Sequence, residues 1–186
     1  FAKYVHQFIL HLGLTDVILL GNSLGGHIGL LVSLLYPKNI RGLIITGSSG
    51  LYENSMGESY PKREDKEYMR KKCEEVFYDP KVATDDVVDE VFKTVNDRKK
   101  LVKILTIAKS AIRHNMSKDL PKIKIPTAII WGKNDIVTPP EVGHDFNRLL
   151  PNSTIFWIEE CGHAPMMEHP NLFNVHMEKW LSTNSN

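Results

Sequence analysis

Ser23 stands in Gly21-Asn22-Ser23-Leu24-Gly25, between the apolar run Val17-Ile18-Leu19-Leu20 and the helix-like run Gly26 to Val32. A serine at so tight a strand-to-helix turn is a candidate nucleophile, because the turn strains its backbone and lifts its hydroxyl toward a pocket. The turn requires little bulk two residues before and two after it, a demand that Gly21 and Gly25 meet. A hydroxyl attacks a carbonyl effectively only when a base takes its proton and a further group orients that base. Reactive residues of parallel sheets collect at the carboxyl ends of strands. That rule selects Asp135, which follows the apolar run Thr127 to Trp131, and His163, which follows Thr154 to Ile158. Serine, aspartate and histidine at three separate strand ends suit acyl transfer through a covalent intermediate.

Other residues fit those roles less well. Asp145 falls within a predicted helix, and Glu159 and Glu160 lie too close before His163. His6, His11, His27 and His176 also fall in predicted helices, where packing or surface roles are expected, and His169 beside Pro170 reads as a helix start. Met166 and Met167 are candidates for an acyl pocket or for packing. Cys73 and Cys161 lack metal or redox spacing and read as two buried free thiols in a reducing cytoplasm. No metal or organic cofactor is called for.

The elements that must position these residues follow from periodicity. Val5, Phe8, Ile9 and Leu12 recur at helical spacing, and Gly13 ends that helix. Strands are predicted at 17–21, 42–46, 127–131 and 154–158, each continuously apolar, as strands covered on both faces are. A helix over 24–36 stops before Pro37, and another begins near Pro170 and runs through Trp180 into a polar tail. Thr138-Pro139-Pro140-Glu141 reads as a helix start, with Thr138 as N-cap, a proline in first place and Glu141 completing a capping box. Between the second and third strands the texture turns charged and helical. Lys62 to Glu75 reads as a solvated helix face, Val87 to Val95 as a helix capped by Thr84, and Leu101 to Ile112 as a third helix. The fold class is therefore α/β, a parallel sheet with helices on both faces. Its core comprises 1–51 and 121–186, and 52–120 form a helical insertion.

Composition narrows the functional classes. The 42% hydrophobic and 24% charged residues are those of an ordinary globular domain. A net charge of +1 gives no reason to expect nucleic acid or an anionic membrane as partner. No apolar run approaches the ~20 residues that span a bilayer, and no signal-peptide layout is present, so a cytoplasmic location is expected.

Gly-Asn-Ser-Leu-Gly-Gly (21–26), Trp-Gly-Lys-Asn-Asp-Ile-Val-Thr-Pro (131–139) and Cys-Gly-His-Ala-Pro-Met-Met-Glu-His-Pro (161–170) together resemble the recurrent blocks of the α/β-hydrolase superfamily, in its order Ser, Asp, His. The resemblance covers nearly the whole chain. It implies Ser23 as nucleophile, His163 as general base and then acid, Asp135 as the group that orients His163, and the backbone N–H of Leu24 as an oxyanion donor. It also implies that the insertion at 52–120 is a cap. The family's earlier strands, and the His-Gly loop that supplies a second oxyanion donor, have no counterpart here. With Phe1 in first place rather than methionine, the expectation is the C-terminal portion of a larger hydrolase whose N-terminal segment completes the site, this portion alone being inactive or nearly so.

The expected activity is hydrolysis of a small apolar ester through an acyl-enzyme. Hydrolysis of carbon–carbon bonds in ring-cleavage diketones is an alternative, although relatives of that kind tend to carry an aromatic where Ala164 follows His163. Acyltransferase or thioesterase activity uses the same residues, and a non-enzymatic binding protein on this fold is the remaining reading.

Overall fold

In the computed structural model, which describes residues 1–54 and 62–184, the four apolar runs form one sheet. Helix α1 (Ala2–His11) leads into β1 (Val17–Asn22), and α2 (Leu24–Leu35) leads into β2 (Ile40–Thr46). Helices α3 (Lys66–Glu74), α4 (Asp85–Asn96) and α5 (Arg98–Arg113) follow, and then β3 (Thr127–Gly132), α6 (Pro140–Leu149) and β4 (Ser153–Ile158). Short α7 (Pro165–Glu168) and longer α8 (Pro170–Thr183) end the described chain. The strands pair in the order β1-β2-β3-β4, all parallel.

Continuous apolarity has the expected cause, since both faces of the sheet are covered. Leu43, Ile45, Ile129 and Trp131 pack with Leu30 of α2 and with Val142 and Phe146 of α6. Their neighbours Ile44, Ala128 and Ile130 point the other way, onto Phe173 and Trp180 of α8. β3 is buried along its whole length, whereas β1 forms a sheet edge and leaves Leu20 half-exposed.

Helices α3 to α5 lie between β2 and β3 in the chain. Cys73, Ala83 and Val88 form a small cluster of their own, separate from the sheet's core. Thr84 caps α4 as expected, accepting from the N–H of Val87. Asp97 caps α5, accepting from the N–H groups of Lys99 and Lys100. The predicted solvated face is helical only from Lys66, with Met69 and Cys73 buried on its inner side. The part of the insertion at 55–61, and the tail residues Ser185 and Asn186, lie outside the described residues.

Two helix boundaries differ from expectation. The predicted last helix starts at Pro170 as expected, but α7 precedes it and ends at Glu168, because the place of His169 before a proline disfavours helical backbone there. Thr138 is not the N-cap of α6. Pro139 occupies that position with no side-chain cap bond, and the Thr138 hydroxyl points elsewhere.

Candidate active site

Ser23 joins β1 to α2 with φ 53 and ψ −119, a left-handed conformation that costs a non-glycine residue on the order of 1–3 kcal/mol. Its surroundings hold it there. The Ser23 N–H donates to the Thr46 carbonyl (3.0 Å), and its carbonyl accepts from the N–H groups of His27 and Ser49 (3.2 Å each). The steric demand of the turn falls unevenly on the glycines. A Cβ on Gly21 would lie 2.3 Å from the Gly25 carbonyl carbon, and one on Gly26 would lie 2.6 Å from Ser48 Oγ. A Cβ on Gly25 would meet nothing within 4 Å, so bulk is forbidden before the serine but not two residues after it. Leu24 opens α2, so its N–H has no acceptor within the helix and is available to an anion.

Asp135 and His163 meet where the sequence expects. Asp135 Oδ2 accepts from His163 Nδ1 (2.9 Å) and from the Thr138 hydroxyl (2.7 Å), and Oδ1 accepts from the N–H groups of Val137 (2.8 Å) and Thr138 (2.9 Å). Four donors fill the acceptor sites of an ionised carboxylate, and Asp135 is only 2% exposed. The Thr138 oxygen also lies 3.3 Å from His163 Nδ1. With its one proton directed to Asp135, that oxygen can only accept from Nδ1–H. Both contacts therefore place the imidazole proton on Nδ1 and leave Nε2 with a free lone pair. Among the described residues, no hydrogen bond joins the Ser23 hydroxyl to His163.

The remaining supports tie the three strand ends together. The Asn22 side-chain amide donates to the carbonyls of Thr46 (3.1 Å) and His163 (3.0 Å), linking β1, β2 and the loop after β4. Gly47, with φ +48, leaves room for the imidazole, since a Cβ there would sit 2.8 Å from His163 Nδ1. The His163 N–H donates to the Val76 carbonyl (2.9 Å). Glu168 accepts from the N–H groups of Gly162 and Tyr78 (2.7 Å each), so the histidine loop is fastened to the segment after α3 at two points.

A cavity of about 250 Å³ opens beside Ser23 and Leu24, with Ile104, Ile107 and Ala111 of α5 among its walls. Glu53 and Ser49 also line it. Burial pushes the Glu53 carboxyl above the ordinary range, partly offset by attraction to His163. His27 is buried one turn into α2 beyond Ser23. Its Nδ1 lies 3.3 Å from Ser49 Oγ and its Nε2 lies 2.9 Å from His114 Nδ1. Burial, and then the neighbouring His114, bring its pKa down to about 4.

The weaker candidates have other occupations. Asp145 pairs with Arg148, Glu159 with Lys133, and the Glu160 carbonyl lies 2.9 Å from His169 Nε2. His6 stacks on Tyr36 and His176 on Phe156. Met166 packs under the α8 face of the sheet and Met167 is exposed, and neither lines the cavity beside Ser23. Cys73 and Cys161 are free and buried, and burial pushes both thiols up, so neither is poised to react. Among the described residues, no group of three or more His, Cys, Asp or Glu side chains could hold a metal ion. No described helix is long and apolar enough to cross a membrane. Sequence reasoning missed Thr138, Glu53 and Glu168. For Thr138 a signal existed, because an aspartate accepting from the N–H groups two and three residues on is a common local turn.

A profile of the family described as serine aminopeptidase, S33, matches residues 1–170. Uncharacterized hydrolase YugF of Bacillus subtilis is 28% identical over 97% of this chain and 70% of its own length. Monoacylglycerol lipase ABHD6 of Mus musculus is 28% identical over 91% of this chain and 56% of its own length. MGS-MChE2, an α/β hydrolase enzyme from a lagoon-sediment metagenome, is 49% identical, with a TM-score of 0.77 over 100% of this chain and 69% of its own. The meta-cleavage product hydrolase CumD of Pseudomonas fluorescens IP01 has a TM-score of 0.85 over 100% of this chain and 71% of its own, at 17% identity, a likeness of fold alone. The chain thus spans between 56% and 71% of the lengths of these relatives.

Proposed function

The chain belongs to the serine aminopeptidase, S33, family of α/β-hydrolases, and we propose that within it this protein is a serine hydrolase of carboxylic esters, with Ser23, His163 and Asp135 as its reacting unit. The observation that carries this reading is the join between Asp135 Oδ2 and His163 Nδ1, made beside a serine held at positive φ. His163 Nε2 takes the proton of the Ser23 hydroxyl as Oγ attacks the carbonyl. Asp135 balances the charge of the imidazolium, and the Leu24 N–H donates to the oxyanion. His163 then passes the proton to the departing alcohol, and water hydrolyses the acyl-enzyme by the same steps in reverse roles. Neither a metal nor an organic cofactor takes part in this scheme.

Helices α3 to α5 would act as a cap over Ser23, since α5 walls the cavity beside it. Its apolar walls favour a small apolar group. Monoacylglycerol lipase activity in a relative is consistent with an ester substrate. Ala164, small and buried, follows His163 where an aromatic is usual in carbon–carbon bond hydrolases. The complete site is proposed to include a second oxyanion donor from polypeptide outside residues 1–186, pairing along the open edge of β1. Removal of one such donor typically costs about 10²–10³ in turnover. A panel of short-chain aryl esters and a ring-cleavage dienone, assayed with the wild type and with Ser23→Ala, tests the reading. Ester turnover lost in the variant is expected. Turnover of the dienone alone would replace the ester assignment.

A further inference from the structure

Glu53 is not used by the chemistry just described, yet it lines the cavity that contains Ser23. The other described walls offer no positive charge, only the apolar side chains of α5 and Leu24 together with Ser49 and Ser23. Among the described residues, no hydrogen bond or ion pair occupies the Glu53 carboxylate. Among the described residues, the group that bears electrostatically on it is His163, whose Nδ1 is committed to Asp135. The backbone around Glu53 is nonetheless held firmly. The Asn54 N–H donates to the Val137 carbonyl (2.7 Å), the Asn54 amide donates to the Ile136 carbonyl (2.8 Å), and the Leu51 carbonyl accepts from the Asn115 amide (3.2 Å). The backbone that carries Glu53 is therefore tied to the loop of Asp135 on one side and to Asn115 on the other.

Resting on the serine-hydrolase reading, we propose that Glu53 is a specificity-determining residue and that the preferred substrate is an apolar ester bearing a cationic, ammonium-type group. An unpaired carboxylate in a largely apolar cavity is costly, and a cation on the substrate is the partner that best offsets that cost. A cation there would oppose the upward push that burial gives the Glu53 carboxyl. A neutral apolar substrate of the same shape would leave the carboxylate buried and unpaired, which is how such a site rejects the wrong ligand.

Isosteric ester pairs isolate the charge. One pair varies the acyl half, as the 4-nitrophenyl esters of 4-(trimethylammonio)butanoate and 5,5-dimethylhexanoate. The other varies the alcohol half, as the butanoate esters of 2-(trimethylammonio)ethanol and 3,3-dimethylbutanol. Both are assayed in the intact protein and in Glu53→Gln. Any influence of Glu53 on His163 acts on both members of a pair, so the ratio of kcat/KM within a pair reports recognition alone. In at least one pair the wild type is expected to favour the cation by about tenfold or more, as a partly buried charge pair permits. Glu53→Gln is expected to bring that ratio close to one. Ratios near one in both wild-type pairs, or a preference that survives Glu53→Gln, would overturn the inference while leaving the hydrolase reading intact. Hydrolysis of none of the four esters would overturn both.

Discussion

Replacing Thr138 by valine removes one hydroxyl from beneath the proposed catalytic pair without changing side-chain shape. Thr138 is fully buried, and its hydroxyl donates to a carboxylate that is itself 2% exposed. Hydrogen bonds to charged groups contribute about 1.5–3 kcal/mol each. Asp135 keeps three donors after the change, from Val137, the Thr138 backbone and His163, so it is not orphaned and the loss falls near the lower end, about 1.5–2 kcal/mol. For a chain of this size that corresponds to a fall in Tm of about 3–8 °C. The same hydroxyl oxygen sits 3.3 Å from His163 Nδ1, so the imidazole also loses a contact that fixes its orientation. We expect kcat on an aryl ester to fall about tenfold, the equivalent of about 1.4 kcal/mol, and Thr138→Ser to recover most of both losses. Thermal melts and initial rates on the three proteins are sufficient. If Thr138→Val lowered Tm but left kcat unchanged, the hydroxyl would be acting on the helix rather than on Asp135, and the reasoning would fail.

The elbow glycines should differ sharply. Gly21→Ala would drive a Cβ into the backbone of Gly25 and Gly26 and is expected to cost more than ~3 kcal/mol, whereas Gly25→Ala finds open space and should stay within ~1 kcal/mol of wild type in urea unfolding. Equal losses at the two positions would contradict the packing described. His27 is held neutral in the fold, with its pKa brought from 6.5 to about 4, so the unfolded chain takes up its proton first as pH falls. Its contribution to stability is complete above pH 6.5 and is lost as the pH drops toward about 4, by roughly 3 kcal/mol in all. Urea midpoints at neutral and mildly acid pH should therefore converge in His27→Asn relative to wild type, and an identical pH slope in the two proteins would refute this.

The parts of the fold that read directly from the sequence are those where one physical demand dominates. β3 had to be apolar from Ala128 to Trp131 because Ile129 and Trp131 face one layer of helices while Ala128 and Ile130 face the other. Ser23, Asp135 and His163 could be chosen because each follows such a strand, and the structure brings the latter two into contact. Thr138 does not cap α6 because two local partners draw on a threonine hydroxyl before a helix. The free N–H groups of α6 lost to a carboxylate three residues upstream, an outcome set by the burial of Asp135 rather than by any propensity. Glu53 and Glu168 carried no signal, because their roles depend on non-local approaches. Glu168 reaches the N–H of Tyr78, 90 residues away in the chain. Met166 and Met167 illustrate the same point in reverse, since adjacency to His163 in sequence did not bring them to the cavity beside Ser23.

The proposed chemistry depends on Ser23 as nucleophile, and covalent labelling addresses that most directly. The protein is treated with a serine-directed fluorophosphonate, digested, and the modified peptide is sequenced by mass spectrometry. A single adduct on Ser23, formed slowly in His163→Ala and absent from Ser23→Ala, is the predicted result. Labelling that persists unchanged in Ser23→Ala would contradict it.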